Sequence, residues 1–463
     1  MMNKILNWLI ILLPLALPLY VVRFNIGPLP TTLLEVYVLA LIVTRLLTIV
    51  KRQTSSLLSR KEGSNVKRGW MVGVRSSWFA IRSSLGGWFW PLVVWLAVTL
   101  VAVFVAQDSW AAFGHWRAFV LEPVMVFVVL LDTLARESPN PSHGDGYPSL
   151  TRGLLTSVAI VTILLGVYAI FQYFTGWGIP SPWDDEIGRR ATGVFGYPNG
   201  LSLFIVPFGI VSWMRLVDTW LGDHMGSPLQ LLMQGSASAL ALVATVLAKS
   251  MGGILAFGVG VVLTLIMYKK TRVIGIILTV LGILGAGLVA WQIYGTELHP
   301  STIEDSLAST KKWSSSVRVI IWQESWELIK DNAFFGTGLR SYKTAILPYH
   351  QATWMEVFPH PHNIFLMLWI ETGLPGLIAF LWLIGAWVIA VKCRTSNVER
   401  RKNAEDLIWL VPLAVILVHG MVDLPYFKND LAIQFFLLAA LATHYGTNYH
   451  RPWRDPAYIK YIK

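Results

Sequence analysis

The chain has 463 residues, 55% of them apolar or aromatic and 14% charged, with a formal net charge of +11 and a mean hydropathy of +0.57. A water-soluble domain keeps about 25% charged residues to cover its surface, so a soluble enzyme is excluded. Apolar runs of about 20 residues recur without low-complexity stretches, which excludes disorder, coiled coil and collagen and leaves an all-α polytopic membrane protein.

Twelve apolar segments follow in chain order, near 5–22, 31–50, 88–106, 115–134, 153–174, 199–218, 229–247, 252–268, 273–294, 363–391, 406–422 and 429–448. The first follows Lys4 as a signal peptide would. Pro14 and Pro18 interrupt it, however, no small-residue cleavage site follows, and another span comes at once, so it is read as the first transmembrane helix. The tenth is interrupted by Gly373-Leu374-Pro375-Gly376, which predicts a kink or split. The expected organisation is transmembrane helices 1–9 over 1–294, one larger periplasmic loop region over 295–362, helices 10–12 over 363–448 and a cytoplasmic tail over 449–463. Within the loop region, Val319, Ile320, Trp322, Trp326 and Ile329 alternate with Glu324, Glu327 and Lys330 at helical spacing. This predicts an amphipathic helix from Ser316 to Asp331, capped by serines 314–316, lying along the membrane–water interface.

Loop 51–87 carries Lys51, Arg52, Arg60, Lys61, Lys67, Arg68, Arg75 and Arg82 against Glu62. Together with 269–272, 392–405 and the tail, it falls on one side when twelve spans are counted, so both termini are expected in the cytoplasm. The positive balance is thus a membrane signature, and no nucleic-acid partner is expected. The only cysteine, Cys393, excludes an intrachain disulfide. Many of the 22 tryptophans lie at span ends, as an interfacial belt requires.

Ionisable residues gather at the other end of the spans. Glu35, Arg117, Glu122, Arg189, Arg190, Lys249, Arg318, His360, His362, Glu371, His419 and Asp423 lie in or beside the outer halves of apolar segments. Burying such groups is costly unless they face a cavity or a partner. One by one they read as snorkelling or paired structural groups; together, the cations suit an anionic, lipid-linked phosphate or diphosphate. The most informative stretch is Phe358-Pro359-His360-Pro361-His362-Asn363. Asn363 is placed to cap the next helix, whose amino-terminal field favours a neutral imidazole able to act as a general base. A metal would need a third ligand, from His350 or Asp423, and the sparse His spacing argues against one. No cofactor is expected.

These motifs resemble the O-antigen ligase and O-antigen polymerase superfamily of bacterial envelope glycan transferases. Arg190-Ala191-Thr192-Gly193-Val194-Phe195 with Pro198-Asn199 is similar to a family segment ahead of a span. Arg318 through Trp322, followed by Gly336-Thr337-Gly338, is similar to the family's arginine helix and its closing turn. His362-Asn363 with Gly373 and Gly376 matches the ligase spacing in which the histidine is essential. His419 to Asp430 resembles a stretch near the last spans. Where members often have Ser-Arg-Gly, this chain has Ser250-Met251-Gly252, and Ala333 stands where proline is usual.

The resemblance implies metal-independent transfer of a glycan from an undecaprenyl diphosphate carrier to an acceptor hydroxyl, on a lipid core or elsewhere, at the periplasmic face of the inner membrane. It implies His362 as the catalytic base, and Arg190, Arg318, His360, Asn363, Lys249 and Asp423 as substrate-binding residues. A polymerase, which takes another lipid-linked repeat as acceptor, shares this chemistry. A transporter or flippase would instead show repeats and a midplane site, and neither is legible here.

Overall fold

The computed structural model describes residues 2–27, 29–59, 82, 85–137, 149–221, 227–295, 310–352, 354–392 and 404–448. Cys393, the tail after 448 and most of the basic 51–87 loop lie outside them. Helices occupy the apolar segments in chain order. α1 (Met2–Ile11) is bent by 58° against the piece formed by α2 (Leu13–Ala16) and a 3-10 turn (Leu17–Val21). Pro14 and Pro18 each remove a helix amide, so the first apolar run is two short rods rather than one. α3 (Leu33–Ser59), α4 (Phe89–Val105) and α5 (Ser109–Trp116) follow, then a single π turn (Arg117–Leu121) leads into α6 (Glu122–Leu134). Next come α7 (Ser149–Thr175), α8 (Pro198–Leu221), α9 (Pro228–Leu247), α10 (Met251–Met267) and α11 (Arg272–Gly295). The remainder is α12 (Thr310–Asp331), the short α13 (Tyr342–Ala345), α14 (Ile364–Lys392), α15 (Val411–Gly420) and α16 (Asn429–Asn448). By length and composition, Leu33–Lys51, Gly86–Val105, α7, α8, α9 and α14 can each cross a membrane, and the bent amino-terminal pair makes a seventh candidate.

The all-α expectation takes one correction. Arg23–Ile26 (β1) and Leu29–Thr32 (β2) pair antiparallel, Arg23 opposite Thr32 and Asn25 opposite Pro30. The stretch joining the first two apolar segments is too short for a further helix, and Gly27, with φ near 60°, reverses it.

α8 and α16 form the centre, buried on nearly all sides. α8 packs on α9 where Gly209 meets Ala241; a Cβ on Gly209 would stand 2.3 Å from the Ala241 Cβ, so the small residue sets the close approach. Pro207 interrupts the α8 ladder, and Gln434 of α16 donates to the Phe204 carbonyl one turn earlier at 2.7 Å.

α14 is broken where its sequence predicts. Gly373 adopts φ 67° and ψ 180° inside the helix. The loop after α12 fills the break: Leu374 donates its amide to the Ala333 carbonyl at 3.0 Å, and the Thr337 amide donates to the Ile370 carbonyl at 2.7 Å. Gly336 and Gly338 are both left-handed, and a Cβ on Gly336 would sit 2.5 Å from the Gly373 nitrogen. The Gly-Thr-Gly turn is therefore a clasp that restores hydrogen bonds the kinked helix gives up.

α12 also differs from its reading. It begins at Thr310, so serines 314–316 lie within it rather than capping it. Val317, Ile321, Glu324, Ser325, Leu328 and Ile329 form its buried stripe, whereas Val319 and Trp326 are about half exposed. The polar pattern misassigned Glu324 because its carboxylate is buried among partners: His350 Nδ1 lies 3.1 Å from Oε2, and the amides of Gln351 and Ala352 donate to Oε1.

Candidate functional site

At one end of the bundle the loops before α8, α14 and α16 meet the α9–α10 turn. Asn363 accepts hydrogen bonds from the amides of Phe365 and Leu366 (2.9 and 3.1 Å), the cap its position predicts. Its Nδ2 donates to the Met421 carbonyl at 3.0 Å, tying the start of α14 to the end of α15. Just before it, His362 has φ near 50°, a left-handed conformation costing roughly 1–2 kcal/mol in a residue bearing a Cβ. The Trp322 indole of α12 donates to the Pro361 carbonyl at 2.8 Å and helps hold this backbone in place.

His362 Nδ1 is buried and lies 3.7 Å from Asp423 Oδ1, within ion-pair reach but beyond a hydrogen bond. His360 stands edge-on to His362, ring centroids 4.3 Å apart. Burial, then the His362 charge, lowers the His360 pKa to about 4, so this imidazole is neutral near pH 7. For Asp423, burial pushes the carboxyl upward, but the neighbouring His362, with His419 and His360, holds it well below the usual carboxylate range. Asp423 is thus an anion facing imidazoles.

The far oxygen of Asp423 accepts from Asn199 Nδ2 at 2.8 Å, and Asn199 Oδ1 accepts from Arg190 Nη2 at 3.2 Å. Arg190 also donates from Nε to the Ala248 carbonyl (2.9 Å) and from Nη2 to the Lys249 carbonyl (3.4 Å), and its guanidinium lies over Trp183, 4.9 Å from the ring centroid. Among the described residues its Nη1 has no hydrogen-bond partner. Burial first, and the Arg318 charge second, lowers the Arg190 pKa. Two guanidinium groups that repel each other this way are an arrangement an anion relieves. Arg318 also acts on His419, so both arginines share the neighbourhood of the imidazoles. Lys249 contributes a left-handed turn (φ 52°) and its carbonyl, while its side chain is exposed.

Other polar residues satisfy one another elsewhere. Arg117 Nη2 lies 2.7 Å from Glu35 Oε2 and its Nε 3.5 Å from Glu122 Oε1, with Thr31 also donating to Glu35 at 2.7 Å. Arg189 donates to the Tyr173 and Phe174 carbonyls (3.1 and 3.3 Å) at the end of α7, a cation at a helix carboxyl terminus. Glu371 faces the backbone amides of Arg340, Ser341 and Tyr342. His350 is committed to Glu324 and the Met355 carbonyl, and no group of three or more His, Cys, Asp or Glu among the described residues is placed to hold a metal. Asn199 carried no signal of its own in the sequence beyond its place in a motif, because a neutral amide becomes a linker only when the fold sets it between two charges. Lys428 stood out in the sequence only as a member of the His419 to Asp430 stretch, with no role of its own.

An apolar helical bundle that brings Arg190, His360, His362 and the buried Asp423 carboxylate together at one end has the layout of an integral membrane protein with a polar site at the end of its helices. The comparisons narrow this. Residues 236–381 match the family model described as O-antigen ligase, a stretch that contains Lys249, Arg318, His360, His362 and Asn363. The chain is similar to the O-antigen ligase of Salmonella typhimurium strain LT2, at 23% identity over 361 residues, 76% of this chain and 82% of that protein. It is also similar to a protein of Rickettsia conorii provisionally named a polysaccharide ligase, at 25% identity over 260 residues, 55% of this chain and 58% of that relative's length. The superfamily resemblance read from the motifs is thereby borne out.

Proposed function

We propose that this protein transfers a glycan from an undecaprenyl diphosphate carrier to an acceptor hydroxyl at the periplasmic face of the bacterial inner membrane. The asymmetry of basic residues in the sequence, read over twelve apolar segments with both termini in the cytoplasm, supports the His362 end of the bundle facing that side. The observation that carries the reading is the pairing of His362 with Asp423, 3.7 Å apart, beside two arginines close enough to feel each other's charge.

The acceptor oxygen attacks the anomeric carbon of the lipid-linked sugar from the face opposite the diphosphate, so the configuration inverts. As the new carbon–oxygen bond forms, the anomeric carbon–phosphate oxygen bond breaks and its electron pair leaves with the lipid diphosphate. The acceptor proton passes to His362 Nε2, while Asp423 faces the Nδ1 side and stabilises the imidazolium. Catalytic hydrogen bonds often tighten as substrate binds, and the 3.7 Å between His362 and Asp423 leaves room for that. Arg190 Nη1 and the Arg318 guanidinium receive the charge that develops on the diphosphate. His360, Asn363 and the Lys249 cation border the same space. The polyprenyl tail lies among the helices and the glycan in water above α12.

General-base action is worth about 10²–10⁴-fold. His362→Ala is expected to reach the membrane in normal amount and to lose glycan transfer in a deletion-strain complementation assay. Undiminished transfer by this variant would overturn the reading. In the deletion strain itself, lipid-linked glycan that accumulates without reaching an acceptor identifies a ligase; single repeats on the lipid core identify a polymerase.

A further inference from the structure

Lys428 lies just before α16, partly buried, and has no carboxylate within ion-pair distance among the described residues. Its ammonium donates to the Tyr20 hydroxyl at 2.5 Å and stands 4.6 Å from the Tyr20 ring, 4.6 Å from the Tyr197 ring and 5.8 Å from the Phe195 ring. An aromatic cage is a way to hold a desolvated cation without neutralising it. Burying an ammonium costs several kcal/mol, and an apolar side chain would fill the space at less expense. The fold nonetheless keeps a cation here, beside the candidate site.

The cage joins three parts of the chain. Tyr20 comes from the amino-terminal 3-10 turn, Phe195 and Tyr197 from the loop that leads into Asn199 at the start of α8, and Lys428 from the segment that begins with Asp423. The two loops it joins are those whose ends meet in the Asn199–Asp423 hydrogen bond. The charge also reaches the site directly, since it acts on both Asp423 and His360. The charged and titratable groups around it are Tyr20 and Tyr197 in the cage, Arg23 at the start of β1, Asp430 in the first turn of α16, and Asp423. Asp430 is the nearest acidic influence on the ammonium, acting on it through space and not as an ion pair among the described residues.

We propose that Lys428 is a positioning residue of the transfer site, its caged ammonium locking the Phe195–Asn199 loop to the Asp423 loop and setting the field in which the His362–Asp423 pair works. This rests on the function proposed above. A misplacement of about 1 Å at a reacting pair costs on the order of 10²-fold, so Lys428→Met is expected to lower kcat by up to that factor. Loss of the cation favours protonated imidazole, so the acidic limb of the rate–pH profile moves to higher pH. Lys428→Arg keeps the charge and its attraction to the rings and is expected to restore both rate and profile. Tyr197→Phe keeps the cage and should retain activity, whereas Tyr197→Ala opens the cage but keeps the ammonium, so it should lower the rate as Lys428→Met does with a smaller shift of the pH profile.

The assay uses the full chain in native-membrane vesicles with a lipid-linked glycan donor, with protein amount and melting temperature measured for every variant. Full activity in Lys428→Met, or a loss that tracks the folded amount with an unshifted pH profile and no rescue by arginine, overturns the proposal. His362→Ala is run alongside. If it is inactive while Lys428→Met is fully active, only the role of Lys428 falls; if His362→Ala is active, the transfer mechanism itself falls.

Discussion

Gly373→Ala isolates the clasp at the broken helix. With φ at 67° and ψ at 180°, Gly373 occupies a region of backbone space that is essentially glycine-only, and forcing alanine into it costs about 1–3 kcal/mol. The new methyl would stand 2.0 Å from the Phe334 carbonyl oxygen, a distance no Cβ tolerates, so the 333–338 loop must withdraw. Withdrawal endangers the Leu374–Ala333 and Thr337–Ile370 hydrogen bonds, each worth about 1 kcal/mol net. The combined expectation is a loss of about 3–5 kcal/mol, large for a folded protein. Gly385, on the same helix, is the matched control, because a methyl added there would meet nothing within 4 Å. There alanine should be neutral or stabilising by up to about 1 kcal/mol. Thermal melts and proteolysis of the two variants in detergent give the comparison. Equal stability of Gly373→Ala and Gly385→Ala would refute the clasp.

Asn363→Ala removes the cap of α14 and its tie to the Met421 carbonyl, and should cost about 1 kcal/mol or more. Its transfer rate should fall further than its stability, a difference that parallel melting and activity measurements expose. The Glu324 hydrogen bond raises the His350 pKa above its ordinary 6.5, so charged His350 is favoured in the folded state. That contribution is fully present below pH 6.5 and is lost as pH rises through the raised value. Hydrogen exchange of the 350–355 segment should therefore speed up above that range, and Glu324→Gln should abolish the dependence.

Much of the bundle was legible because apolar runs of spanning length are a strong signal, and the Gly373-Leu374-Pro375-Gly376 break announced itself by residue type. Asn363 was legible for the same reason, since a polar residue between His362 and Ile364 at the start of an apolar run has few other uses. What escaped depended on tertiary pairing. Glu324 looked solvent-facing because its partner, His350, is 26 residues away and no local pattern links them. The expected outer array of charges proved to be two groups, since Arg117 reaches across to Glu35 on α3 and lies 3.5 Å from Glu122 further along its own helix. The hairpin 23–32 was hidden by its shortness. His360, His362, Arg190 and Asp423 were each singled out, but the sequence held no hint that Asn199 links the last two.

That link has an electrostatic consequence. Had Arg190 and Asp423 been in direct contact, each would have spent its charge on the other, leaving a neutral fork and a neutralised carboxylate. The carboxamide between them accepts from one at 3.2 Å and donates to the other at 2.8 Å, so it works as a spacer: both ions are solvated by the same side chain and neither is quenched. The guanidinium keeps its positive field for whatever arrives from the membrane, and the carboxylate keeps its negative field for the imidazole. On the function proposed above, a single uncharged residue thus separates the half of the site that receives the diphosphate from the half that receives the proton.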